Sequence, residues 1–206
     1  MAFLTTRPTS TGASKQVQPA SPDRRRFLRG LFAFSILYAA APGQLQAQDP
    51  SYRIKAVFLY NFAQFVTWPE SAFAGPESPF VIGVLGRDPF GRILDDTVRN
   101  EVVNRRKLEV RRYRSVGEVR ECQILFISPS EQAQMLRVLN ALEEKPILTV
   151  AETEFFTRNG GMIRFVTEQN KIRFRINSEA AERAGLTISS KLLRLAEIVR
   201  TERSRR

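Results

Sequence analysis

The stretch FVIGVLGRDP, Phe80–Pro89, decides the fold. Phe80–Leu85 is an unbroken run of apolar residues and glycine, with none of the alternation of a strand wet on one side. A run that is dry on both faces reads as a buried strand of a parallel sheet. Gly86 punctuates it, and Asp88 followed by Pro89 has the chemistry of a helix start, an N-cap before a proline in the first turn. Phe90, Ile93, Leu94 and Val98 then fall on one face of the helix that follows. The alternation continues downstream. Leu108–Tyr113 reads as a strand, Val116–Glu121 as a short helix or turn, and Gln123–Ile127 as a central strand. Ser128 or Ser130 caps a helix that runs to about Glu144 with Met135, Leu136, Leu139 and Leu142 inward. Pro146 breaks it before a strand at Ile147–Val150, and Thr153–Thr157 fits one helical turn. Strand alternating with helix predicts an α/β fold, a single domain with a largely parallel sheet flanked by helices and joined by right-handed crossovers.

The two ends differ from this pattern. Ser51–Trp68 has helical spacing, with Ile54, Val57, Phe58, Phe62, Phe65 and Val66 expected on the core face. Pro69 ends it, and Phe73–Ser78 reads as a loop. Met162–Thr167 and Lys171–Ile176, joined by Glu168–Asn170, read as an antiparallel C-terminal β-hairpin. A final helix is expected from about Ser178, interrupted at Gly185, through Leu192, Leu193, Leu195, Ala196 and Val199.

Upstream, Asp23–Gln48 has a basic start, an apolar middle and a small residue before a polar stretch, the order of a secretory signal. Arg24-Arg25-Arg26-Phe27-Leu28-Arg29 resembles a bacterial twin-arginine export signal. The apolar run Leu31–Ala41 is 11 residues long, short of the roughly 20 that a membrane span needs. The expectation is a cleaved signal peptide at 1–47 and a soluble, exported periplasmic domain at 48–206. Of the formal net charge of +11, residues 1–47 carry +5, which leaves +6 spread over the domain. In the periplasm that excess suits an acidic protein surface or anionic lipid, and nucleic acid is not expected as a partner.

Composition removes much chemistry. The chain has no histidine, so no Ser-His-Asp or Cys-His relay and no histidine metal ligand can be built. Cys122 is the only cysteine, which excludes an intramolecular disulfide and a zinc site and fits a buried, inert thiol. Asp95 with Asp96, and Glu143 with Glu144, are adjacent on helices and do not share a face, so neither makes a catalytic couple. No catalytic residue, metal site or cofactor is expected, and the protein does not read as an enzyme.

Several stretches in fixed order carry a resemblance: KAVFLYNFAQFVTWP (Lys55–Pro69), GRDPFGRILD (Gly86–Asp95), CQILFIS (Cys122–Ser128), GGMIRFV (Gly160–Val166), IRFRIN (Ile172–Asn177) and GLTISSKLLRLAEIV (Gly185–Val199). Together they resemble the YfiR-like family of small periplasmic proteins. The resemblance implies an α/β fold, a homodimer and a repressor. Such a repressor binds the periplasmic sensory domain of an inner-membrane diguanylate cyclase, or of a sensor kinase, and lowers cyclic di-GMP. It also implies an outer-membrane lipoprotein that sequesters the repressor. The paired cysteines of some members are missing here, since Cys122 stands alone.

The candidate partner-binding residues are Trp68, expected to be partly exposed at its helix end, and Arg164, Arg173 and Arg175, expected on one face of the hairpin because residues two apart point the same way. That face reads either as a solvated sheet surface or as a dock for an acidic partner. Gly86, Arg87 and Asp88 mark a strand end at a helix start, which reads either as a tight turn or as an anion site, with Lys191 as a further candidate. The alternative function is therefore a small-ligand-binding module with an anion or aromatic-metabolite site at the α/β cleft.

Overall fold

The computed structural model describes residues 49–199. The expected leader at 1–47 and the basic end at 200–206 lie outside the described residues. The first element, α1 (Ser51–Phe65), is followed by a two-residue strand, β1 (Val66–Thr67). Next come β2 (Phe80–Leu85), α2 (Arg92–Val98), β3 (Val102–Val103), β4 (Arg106–Tyr113) and β5 (Ile124–Ile127). A 3-10 turn at Pro129–Gln134 leads into α3 (Met135–Leu142), β6 (Leu148–Ala151), β7 (Ile163–Glu168) and β8 (Lys171–Ile176). The described residues end with α4 (Ser178–Arg183), β9 (Thr187–Ile188), α5 (Ser190–Leu193) and β10 (Glu197–Ile198).

Eight strands form one sheet in the order β10-β8-β7-β6-β5-β2-β4-β3. β4, β2, β5, β6 and β7 are mutually parallel; β8 and β3 turn back as hairpin partners of β7 and β4. The expected α/β architecture is thus observed, with its parallel centre and C-terminal hairpin. Every residue of β2 is buried, and alternate residues serve two cores. Phe80, Ile82 and Val84 pack with α1 and α2, while Val81 and Leu85 pack with α3, Tyr113, Cys122 and Phe156. Gly83 has no room for a side chain, since a Cβ there would lie 2.7 Å from the Tyr113 ring and 2.8 Å from Cys122 Sγ.

The helices are shorter than their sequence patterns suggest. Asp88 does not cap α2; its carboxylate accepts the Phe90 N–H at 2.7 Å in a local turn, and the helix starts after Gly91, whose φ is 51°. Val66 and Trp68 leave α1, because Val66–Thr67 pairs with Ile188–Thr187 in a two-stranded antiparallel sheet. The same pairing breaks the expected last helix. Gly185, at φ 73°, ends α4, and α5 is a separate turn of helix capped by Ser189.

α1 keeps the aromatic part of its expected face, with Phe62 buried and Phe58 and Phe65 packed against the core. Ala56, Leu59, Phe62 and Ala63 are buried, whereas Ile54 and Val57 are exposed. Phe58 and Phe62 both pack on the rings of Phe165 and Phe174, which anchors the helix on the hairpin. In α3, Leu136 is exposed while Met135, Val138, Leu139 and Leu142 are inward.

Candidate functional site

The sheet is covered unevenly. The layer containing α1, α2, α4 and α5 lies against all the strands from β2 to β8, so Ile163, Phe165, Phe174 and Ile176 are buried on that side. The opposite layer ends at β6; no residue of β7 or β8 joins its core. The second face of the hairpin is therefore left to solvent, and the arginines occupy it.

Register fixes their arrangement. The hairpin turns on Gln169 and Asn170, both at positive φ (48° and 62°), a two-residue connection. It sets Arg164 opposite Arg175 and Val166 opposite Arg173, so the three arginines share one face as expected. Like charges directly opposite repel, and two acids offset the repulsion. Glu197 takes the Arg175 Nε at 2.8 Å, and Glu168 lies 3.6 Å from Arg173 Nε and 3.9 Å from Arg175 Nη2. Burial, and then the neighbouring Arg175, lower the pKa of Arg164. A groove of about 410 Å³ is lined by Arg173–Arg175 of β8 and by the segment Arg194–Glu197.

Trp68 is not part of this face, which corrects the expectation of partial exposure. It is 8% exposed, its indole N–H donates to the Gln123 carbonyl at 3.0 Å, and its ring meets Phe80 edge-on at 4.9 Å. The Gln123 side chain in turn accepts the Val81 N–H at 2.8 Å, so Trp68 belongs to the seam where β2 and β5 begin. Pro69 and the 3-10 turn at Glu70–Ala72 carry the chain over it.

Gly86, Arg87 and Asp88 sit at the end of β2, where the crossovers diverge toward β4 on one side and β5 on the other. Such a point in an open parallel sheet is the usual place for a ligand. Here it is filled: a Cβ on Gly86 would collide with Ser130 Oγ and Glu131 Oε1, and Ser130 Oγ already accepts the Arg87 N–H at 2.9 Å. Asp88 is paired with Arg112 at 2.9 Å. A carboxylate beside the turn opposes an anion, and the contacts of Gly86–Asp88 are those of a tight turn. Lys191 lies on α5, at the other end of α1, where the Ser189 N–H donates to the Phe65 carbonyl. It is not brought together with Gly86–Asp88.

The paired carboxylates separate as well. Asp95 binds Arg112, whose hydrogen bond holds the Asp95 pKa low, while Asp96 binds Arg99. Burial pushes the Cys122 thiol up to about 12. Among the described residues no cluster of His, Cys, Asp and Glu could hold a metal ion.

One charged cluster escaped the sequence reading. Lys55 is 3% exposed in the inward stripe of α1, ion-paired to Glu152 just after β6, and its Nζ lies 4.2 Å from the Tyr52 ring centre. The Tyr52 hydroxyl donates to Glu152 Oε1 at 2.6 Å. Burial first, then that hydrogen bond, raise the Tyr52 pKa. The Glu152 carbonyl also accepts from Arg164 Nε at 3.4 Å, so one residue ties the start of α1 to the arginine face. The signal was a lysine at an i, i+4 step from Leu59 within an apolar stripe, but its partner is 97 residues away.

A family model described as YfiR/HmsC-like matches residues 52–197. No curated protein matches the chain.

Proposed function

The chain belongs to the YfiR/HmsC-like family, and from that premise we propose that it is a periplasmic regulatory protein. It binds the sensory domain of an inner-membrane diguanylate cyclase and holds the enzyme in its inactive conformation, so lowering cyclic di-GMP. Residues 1–47 act as the twin-arginine export signal, and the working form is the domain 48–206. Homodimer formation and sequestration by an outer-membrane lipoprotein belong to the same proposal.

The observation that carries the reading is the uncovered, arginine-bearing face of the hairpin on a scaffold of the family's type. Arg173 has a side chain 65% exposed and only a 3.6 Å contact to Glu168, so it is available to a partner's carboxylate. No helix among the described residues is long and apolar enough to cross a membrane. Regulation follows from differential affinity: a partner with two conformations shifts toward the one the repressor binds more tightly.

Deletion of the gene, with cyclic di-GMP measured in the native bacterium, tests this. The expected result is a rise that is reversed by the full-length protein and not by a form lacking residues 2–47. An unchanged cyclic di-GMP level, or rescue by the unexported form, would overturn the reading.

A further inference from the structure

The exposed part of the hairpin has a backbone as well as a face. β8 is the outer strand of the hairpin, and β10 covers it only at Arg175 and Ile176. Along Lys171–Arg173 no strand of the described residues pairs with its outer side, and the parallel register of β10 takes up the Phe174 carbonyl. The two-residue turn makes Glu168 and Lys171 the closing pair, so the backbone N–H and C=O of Ile172 point away from β7. Consistent with this alternation, the Ile176 carbonyl faces outward and accepts the Val199 N–H at 2.8 Å. A sheet edge of this kind is a template for another strand.

β10 shows what the edge accepts. In Ala196-Glu197-Ile198 an acid stands between two apolar residues, and the acid sits on the arginine beside it, Arg175. Lys171, Arg173 and Arg175 share one face of β8, while Ile172 and Phe174 share the other, against Phe58 of α1. An added strand presents its own alternate residues to the same two faces. The edge therefore selects acid on one side and apolar residues on the other. A second copy of β8 would set cations against cations, which disfavours self-pairing.

We propose that β8 captures an extended, alternating acidic and apolar segment of the partner protein by strand addition along Lys171–Arg173, centred on Ile172. The main-chain hydrogen bonds supply affinity, and carboxylates over Lys171 and Arg173 supply specificity. This inference rests on the hairpin being the docking surface of the proposed function and adds the mode of recognition.

The probe is an acetylated, amidated heptapeptide alternating Val and Glu, added to the purified exported domain. Two further versions carry N-methyl groups, one on the valine amides and the other on the glutamate amides. Successive N–H groups of a strand point to opposite sides, so strand addition is blocked by one methylated set and spared by the other. The expected result is slowed exchange of the Ile172 amide with the parent peptide, and affinity weaker by about tenfold or more with one methylated version only. A composition-matched peptide with its three Glu contiguous should bind more weakly than the parent. Equal binding by both methylated versions, equal binding by the contiguous-Glu peptide, or no protection of Ile172 would overturn strand addition. A failed peptide test alongside a cyclic di-GMP rise on gene deletion refutes the mode of recognition alone. An unchanged cyclic di-GMP level refutes the proposed function.

Discussion

Removing the Glu152 carboxylate, as in Glu152→Ala, should be among the most damaging single changes in this domain. Lys55 is 3% exposed, and its ammonium faces the Glu152 carboxylate and the Tyr52 ring. Truncating one member of a buried pair leaves an uncompensated charge, at a cost of about 3–5 kcal/mol. The Glu152 side chain is 20% exposed, so water can reach the vacated position, and the lower end of that range, about 3 kcal/mol, is expected. With a urea slope of about 2 kcal/mol/M, the unfolding midpoint falls by about 1.5 M. Trp68 is the only tryptophan and is buried against Phe80, so its fluorescence reports the transition. The double variant Lys55→Met/Glu152→Leu removes both charges and should recover most of the loss, because an apolar pair of similar volume replaces a desolvated ion pair. A loss below about 1 kcal/mol for Glu152→Ala, or a double variant no better than the single, would refute the claim that the pair is energetically closed to water.

Three further expectations concern the scaffold. Gly83→Ala places a methyl 2.7 Å from the Tyr113 ring and 2.9 Å from Leu125 Cδ1, and thermal unfolding should register about 1–3 kcal/mol of overpacking. Trp68→Phe removes the indole donor from the Gln123 carbonyl, which keeps the Leu148 N–H at 2.8 Å, and should lower stability by about 1 kcal/mol by circular dichroism while leaving repression intact. In alkali, burial pushes Cys122 from its ordinary 9.0 to about 12 and Tyr113 from 10.0 to about 12. Both groups ionise first in the unfolded chain, so the stability they contribute is full below about pH 9 and is lost as pH rises toward 12. Urea midpoints across that window should fall, and Cys122→Ala should flatten part of the fall. A flat profile in the unaltered protein would contradict the burial of both groups.

The strands were legible because burial on both faces writes itself as an unbroken apolar run, as in Phe80–Leu85 and Ile124–Ile127. The arginine face was legible for a related reason. A period of two is a local property of Lys171–Ile176, and the hairpin that brings in Arg164 is local too. Helix ends were less so. Gly91 and the β1–β9 pairing shorten helices whose periodicity continues past them, and the β1–β9 contact joins residues more than a hundred positions apart. Trp68 next to Pro69 looked like an exposed helix end. What buries it is the distant carbonyl of Gln123. Lys55 and Glu152 failed to stand out for the same reason, since a long-range ion pair has no spacing to read. The Gly86 turn shows the opposite limit: a strand–turn–helix pattern marks where ligands gather in such sheets, but only the structure reveals Ser130 and Glu131 filling the place.

The central claim is that the arginine face of the hairpin docks the membrane partner. It is tested most directly by complementing the deletion strain with Arg173→Glu/Arg175→Glu and measuring cyclic di-GMP at matched protein levels. Arg175→Glu would gain an attractive partner in Arg164 across the hairpin while losing its contacts with Glu197 and Glu168, and Arg173 is mostly solvent-exposed, so the unfolding midpoint is measured alongside to separate lost docking from lost folding. The expected result is cyclic di-GMP as high as in the uncomplemented deletion, with an unfolding midpoint close to that of the unaltered protein. Full repression by the double variant would contradict the claim.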